Sequence, residues 1–392
     1  MCAARKPGKP GKPTKAELAA RDEAIASAGG EAAPRGAGPG FSAIVGQDQA
    51  VGALQSALRR DRLPHALLLH GQIGVGKATG AGVLAQALNC PQSGPVDACG
   101  TCPSCHKVER GLHPDVLWVA PQKGLIRLRQ ISPRKADSSE PEPPHEPIVS
   151  WVGYRPYEGN RRVVVIDDAH TMNPPAQNAL LKTLEEPPPS SILVLVTPAP
   201  GSLLPTIRSR CQTLRFQPLG LPLMRQYLEQ QCGMNAAEAR LRSSLAPGSL
   251  GRAISLDLDA YGVRRDVAET ALEDACQGGA ALLRSAETLL AAGAGERKID
   301  QASSAIGAVR DILRDLLVLA SGNGEEIVVN LDRVDEWTAW ARTLDPDDIV
   351  DALDAVQRAD DRLRSPLQPN ARLTVEEALI GVGTALRDGT LG

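Results

Sequence analysis

Aromatic side chains are scarce in this sequence: four Trp, four Tyr and two Phe make up only 3% of it. Its 42% of hydrophobic residues must therefore build largely aliphatic cores. No apolar run reaches the ~18 residues that a helical membrane span needs, so no membrane partner is expected. A strong net charge is also missing. The formal value of -3 argues against a surface that binds polyanions everywhere. Any contact with DNA would come from a local patch or through a partner. No export signal precedes the cysteines, and the expected compartment is cytoplasmic.

What is present fills 392 residues, room for two or three domains. Residues 1–40 read as a basic Pro/Gly/Ala-rich tail that cannot bury enough apolar surface to fold. A solvated tail is the simpler reading, and a weak nucleic-acid or partner tether the alternative. From Phe41 the pattern changes to alternating helices and strands. Short apolar runs at 66–70, 116–119, 163–166 and 192–196 read as buried parallel strands, and 208–216 as the strand that closes the sheet. Residues 47–60 have helical periodicity. A Pro- and Glu-rich insertion at 132–147 reads as a loop. The strands stop after about residue 217. The expected division is an α/β domain at 41–216, a small helical domain at 217–262 and a larger helical domain at 263–392.

Of eight cysteines, four are concentrated: Cys90, Cys99, Cys102 and Cys105, with the spacing C-x8-C-x2-C-x2-C. Two overlapping C-x2-C steps present thiolates on one knuckle of backbone, and Cys90 can complete a tetrahedron. Four sulfurs fit the closed site of structural Zn2+. Two disulfides would be crowded and strained. A redox C-x2-C pair would leave two cysteines unexplained.

Gly71-Gln72-Ile73-Gly74-Val75-Gly76-Lys77-Ala78 follows the first strand and opens a helix. Gly71, Gly74 and Gly76 shape a loop whose N–H groups can cradle phosphate, with Lys77 reaching the β and γ oxygens. The eighth position of such a loop should carry a hydroxyl for Mg2+, but here it is Ala78. Thr79 follows, yet one step along a helix turns the side chain by about 100°. The strand at 163–166 ends in Asp167, placed to hold a metal's water shell. Next comes Asp168, one methylene shorter than the usual water-polarising Glu. A tight strand-to-helix turn without nucleotide is the bland alternative, and binding of ATP or ADP stays open.

Several segments in order carry a resemblance. They are Phe41-x-x-Ile44-Val45-Gly46-Gln47, Pro64-His65-Ala66-Leu67-Leu68, the phosphate-loop segment and the four cysteines. Then come His113-Pro114-Asp115, Asp167-Asp168-Ala169-His170, Asn178-Ala179-Leu180-Leu181-Lys182-Thr183-Leu184-Glu185-Glu186-Pro187 and Ile207-Arg208-Ser209-Arg210-Cys211. Together they resemble the AAA+ subunits of the bacterial sliding-clamp loader, in particular the delta-prime family of DNA polymerase III. The resemblance covers about residues 41–255. Asn370-Ala371-Arg372-Leu373-x-Val375-Glu376 resembles the end of the loader's collar more weakly.

The resemblance implies a RecA-like α/β AAA+ domain with an inserted zinc module, a helical lid and an all-α collar. It implies that Arg210 is a trans arginine finger for a neighbour's ATP, supported by Ser209. A guanidinium suits that role because it is always charged and forked. The simpler reading pairs Arg210 with an acid or a helix end. In Gly248-Ser249-Leu250-Gly251-Arg252-Ala253, Gly251 stands where a hydrolysing subunit has Arg. The implied protein is a largely non-hydrolysing component of the polymerase holoenzyme, in a ring with tau/gamma-type and delta-type subunits. Through that ring it would serve the sliding clamp and primed DNA. An active tau/gamma-type ATPase and a zinc-stabilised adaptor without nucleotide chemistry are the rivals. Thr197 resembles a sensor residue or merely ends its strand, and Glu185-Glu186 reads first as a solvated helix end.

Overall fold

The computed structural model describes residues 40–92, 94, 96–133, 142–295, 298–322, 328–363 and 369–388. The expected N-terminal tail lies outside the described residues except for Gly40, as does the centre of the 132–147 insertion. The chain divides into two compact units, Met1–Leu219 and Gly220–Gly392.

In the first unit, a short 3-10 helix Gly40–Ala43 leads to α1 (Asp48–Arg59), β1 (Ala66–His70) and α2 (Lys77–Asn89). Then follow α3 (Pro103–Glu109), β2 (Val116–Val119), α4 (Leu128–Ile131) and α5 (Ile148–Trp151). The unit ends with β3 (Arg162–Ile166), α6 (Pro174–Glu185), β4 (Ser191–Thr197), α7 (Pro205–Arg208) and β5 (Gln212–Arg215). The strands pair in the order β2-β3-β4-β1-β5, all parallel. β3 and β4 are buried along their whole length. That is why they read as unbroken aliphatic runs rather than as alternating patterns. Leu68, Val164, Ile166, Leu193 and Leu195 join Leu180 and Leu184 of α6 in one core.

The closing segment differs from its sequence reading. Residues 208–216 do not form one strand: a helical turn ends at Arg208 and the strand starts only at Gln212. Pro205 occupies the first helical turn, where a missing N–H costs nothing. The chain then needs residues 209–211 to reverse into the sheet. That short corner carries Ser209, Arg210 and Cys211.

The parallel order sets the chemistry. β1 lies between β4 and β5, while the chain after β1 crosses to the far edge at β2. The carboxyl ends of β1, β3 and β4 therefore meet where a parallel sheet places its ligand crevice. Register puts His70 beside Thr197 and Ile166 beside Leu195.

The second unit contains helices only, among the described residues. They are α8 (Leu221–Gln230), α9 (Ala236–Leu245), α10 (Leu250–Ser255), α11 (Leu258–Gln277), α12 (Ala280–Ala292), α13 (Lys298–Ala320), α14 (Val334–Ala341), α15 (Pro346–Leu363) and α16 (Ala371–Asp388). The last six share an aliphatic core built on Leu272, Ile306, Ile312, Leu316, Val356 and Val382, with Trp337 buried in it and Trp340 packed against it. A buried carboxylate ties the 328–330 turn to α13. Asp315 accepts from the backbone N–H of Val329 (3.1 Å) and Asn330 (2.9 Å) and from the Asn330 amide (2.8 Å). No described helix is long and apolar enough to cross a membrane.

Candidate nucleotide site, arginine corner and metal centre

The glycines of the loop after β1 are there for backbone reasons. Gly71, Gly74 and Gly76 have φ of 143°, 77° and 95°, values that L side chains rarely adopt. A Cβ on Gly71 would also collide with the Phe216 carbonyl. Gly76 caps α2 in the left-handed region, and the loop's N–H groups thus open onto a helix of 13 residues. Gln47 holds this loop from outside. Its amide donates to the Gln217 carbonyl (2.7 Å) and the Val75 carbonyl (3.4 Å), and its oxygen accepts from Gln217 N–H (2.7 Å). One buried side chain thereby joins the phosphate loop to the exit of β5.

Lys77 is buried and donates to the carbonyls of Gly71 (2.9 Å) and Gln72 (2.6 Å). Burial lowers its pKa, and the nearby charges of Asp167 and Asp168 work against that shift. Asp167 moves the other way: burial raises its pKa first and Asp168 second, with Lys77 among the groups opposing it. The three groups form a charge cluster at the ends of β1 and β3. Asp168 is exposed and sits at φ 45°, a strained place for a residue with a Cβ. Its N–H donates to the Asp167 carboxylate (2.9 Å). The hydroxyl of Thr197 accepts from Ala199 N–H (3.1 Å), as expected of a side chain that ends a strand.

Arg210 lies on the corner before β5. Ser209 Oγ donates to the Thr206 carbonyl (3.2 Å), and Arg210 Nη1 donates to the same oxygen (3.0 Å). Arg210 Nη2 meets Glu185 Oε1, the last residue of α6, at 2.7 Å. The acid-paired reading of Arg210 therefore describes the isolated chain. Glu185 is a partnered helix end and not merely a solvated one. Cys211 beside it is buried, and burial pushes its thiol up to about 11, in keeping with a small apolar filler.

The four cysteines converge. Their Sγ atoms all lie within 4.8 Å of one another, with Cys90 to Cys99 at 3.5 Å, Cys90 to Cys102 at 3.8 Å and Cys99 to Cys105 at 4.0 Å. A tetrahedron with metal–sulfur bonds of about 2.3 Å has edges of about 3.8 Å, so the set fits zinc. Backbone N–H groups of Cys99 and Cys105 point at the sulfurs of Cys90 and Cys102, both at 3.5 Å. Burial raises the pKa of Cys90 and Cys105, whereas the backbone of Thr101 pulls Cys99 down to about 6. Four thiolates in this space need a cation to hold them together. Among the described residues, the module's buried apolar cluster holds Ala98 beside the cysteines.

Sequence reasoning missed what fastens this module to the sheet. Asp115 is fully buried and accepts from the N–H groups of Tyr157 (2.7 Å), Glu158 (2.8 Å) and Gly159 (2.8 Å). Asn89 Oδ1 takes the next two, from Asn160 (2.9 Å) and Arg161 (3.0 Å). His113 Nδ1 accepts from Asp115 N–H (3.1 Å), leaving Nε2 to donate to Ser104 Oγ (3.1 Å) on α3. Arg162 lies over the Trp151 ring at 4.4 Å and near Asp115 at 3.7 Å. The only sequence hint was the His113-Pro114-Asp115 triplet just before β2. Replacing Asp115 by Ala should strand three backbone donors and remove the carboxylate beside Arg162. We expect a loss of about 3–5 kcal/mol in urea unfolding of the full chain. A change below about 0.5 kcal/mol would mean that the loop at 157–161 holds itself.

A parallel sheet with a glycine loop and helix N-terminus after β1 and an acid pair after β3 is the arrangement of a RecA-like α/β fold. The family described as "DNA polymerase III, delta subunit" matches residues 46–220. The tau subunit of DNA polymerase III from Salmonella typhimurium is 34% identical over 221 residues, 55% of this chain and 32% of that protein. The delta' subunit from Bacillus subtilis is 36% identical over 173 residues, 44% of this chain and 48% of that protein. A gamma-subunit-related DNA polymerase III protein from Thermotoga maritima, of known crystal structure, covers 87% of this chain and is itself covered in full. Its identity is 18% and its TM-score 0.35, too low to add weight. Residues 46–220 are thus similar to clamp-loader subunits of DNA polymerase III, of both the tau and the delta' kind. The match spans 32% of the length of the first of these two curated relatives and 48% of the second.

Proposed function

We propose that this chain is the delta-prime-type member of a clamp loader, a subunit that turns over little ATP itself and serves a neighbour's site. The relatives include tau and delta' subunits at similar identity, so particular residues have to choose between them. The observation that carries the choice is Ala78. The phosphate cradle, Lys77 and Asp167 are retained, but the second residue of α2 has no hydroxyl for Mg2+. Asp168, short and exposed at a left-handed position, supports the same reading. In this reading Gly71, Gly74, Gly76, Lys77 and Asp167 form a degenerate nucleotide site. Arg210, steadied by Ser209, reaches the ATP of a tau/gamma-type neighbour.

The four cysteines are proposed as the ligands of one structural zinc ion. Zinc would cross-link the loop at 90–105, whose described buried residues are the cysteines and Ala98. The partners in this reading are tau/gamma-type and delta-type subunits in one ring, which acts on the sliding clamp at primed DNA.

Phosphate release by the isolated full chain tests the assignment. We expect turnover near background, and Ala78→Thr should not raise it tenfold, because Asp168 still lacks the reach of a glutamate. Brisk hydrolysis by the unmodified chain alone would point instead to an active tau/gamma-type motor.

A further inference from the structure

We propose that Glu185 is a positioning residue for Arg210, one that sets where the guanidinium points when a neighbouring nucleotide is presented to it. This rests on the reading of Arg210 as a trans arginine finger. Three observations support it. First, the guanidinium is held at two points from two different elements, by Glu185 Oε1 of α6 and by the Thr206 carbonyl of α7. Two anchors restrict an arginine far more than one, yet a guanidinium has five donor N–H groups, so others remain for phosphate oxygens.

Second, Glu185 stands on a fixed backbone. His65 Nε2 lies 3.1 Å from the carbonyl of Leu184, the preceding residue. At the start of α6, Asn173 accepts from Ala176 N–H (3.0 Å). Gln177 links the helix to the arginine corner's approach, accepting from Leu204 N–H (2.8 Å) and donating to the Met172 carbonyl (3.0 Å). The helix that carries Glu185 is thus tied both to the segment after Asp167 and to the chain entering α7.

Third, a carboxylate is the wrong charge for its place. The last turn of a helix exposes carbonyls and favours a cation. An acid there gains from a cation across from it, and Arg210 supplies one. The pair is exposed, with 35% of the Arg210 side chain and 49% of the Glu185 side chain open to solvent. A bond of this kind aims the guanidinium without trapping it.

The test is a double-mutant cycle in the assembled loader ring, with kcat and KM for ATP measured for wild type, Glu185→Ala, Arg210→Ala and the double variant. We expect Glu185→Ala to lower kcat by about tenfold with KM changed less than about twofold, a misaimed rather than a missing group. Glu185→Asp should recover part of that loss. The double variant should be no slower than Arg210→Ala alone. If Arg210→Ala is slow while Glu185→Ala matches wild type, the positioning role is overturned and the finger stands. If Arg210→Ala itself matches wild type, the finger reading falls and takes this role with it. Multiplying losses in the double variant would place the action of Glu185 elsewhere. Failure of Glu185→Ala to enter the ring on size-exclusion chromatography would make it an interface residue, also against the proposal.

Discussion

Arg210→Ala is expected to lower ATP turnover at one site of the assembled ring by on the order of 10³. The chain itself should unfold at the same urea concentration as wild type. The two expectations differ in size for a physical reason. A thousandfold loss corresponds to about 4 kcal/mol of transition-state stabilisation. In its own chain Arg210 makes an exposed hydrogen bond to the Thr206 carbonyl and an exposed ion pair with Glu185, the ion pair worth about 0–1 kcal/mol. Lost stability therefore cannot imitate lost catalysis here. Arg210→Lys should recover little, since an ammonium keeps the charge but not the planar fork. Single-site turnover equal to wild type in the Arg210→Ala ring would remove the finger from the mechanism.

The second large effect concerns the metal. Freshly purified protein is expected to contain about one equivalent of zinc, and Cys105→Ser to contain close to none. Cys105 is fully buried and lies within hydrogen-bonding range of the Cys99 sulfur. An oxygen in its place is a poorer ligand and leaves three sulfurs with no partner to close the site. Structural zinc in small peptides contributes on the order of 10 kcal/mol of apparent folding free energy. Among the described residues the buried cluster here consists of cysteines and Ala98, which is little apolar packing to compensate when the ion goes. Limited proteolysis should then cut within residues 90–112, while the sheet stays protected. Zinc below about half an equivalent in the unmodified protein would sink the assignment. Full protease resistance of Cys105→Ser would show that the Asp115 and Asn89 network alone holds the module.

The two units differ in how plainly the sequence announced them. β3 and β4 were read almost residue for residue because both of their faces are buried, which leaves an unbroken aliphatic run. α6 carries local signals of the same kind: Asn173 caps it, two prolines occupy its first turn, and its leucines repeat at helical spacing. The segment at 208–216 was misjudged as one strand. The helical turn that precedes β5 depends on Pro205 and on Ser209 bonding back to Thr206, features too short to produce a period. Asp115 stands out in the sequence only as part of the His113-Pro114-Asp115 triplet. A lone acid gives no sign that three backbone N–H groups from residues 157–159 will converge on it.

The sequence by itself determined the features whose physics is local: the positive-φ glycines of the phosphate loop, the missing hydroxyl at Ala78 and the buried parallel strands. The cysteine spacing likewise foretold that four thiols share one knuckle of backbone. Tertiary structure decided what those features are joined to. Gln47 reaches Gln217, Asp115 gathers the 157–159 loop, and Glu185 meets Arg210 across 25 residues of chain. None of these pairs is close in sequence, and none follows a helix or strand period. They exist because the strand order β2-β3-β4-β1-β5 brings distant ends of the chain to the same edge of the sheet. Periodicity reports which face of an element is buried; only the crossover connections decide what lies against it.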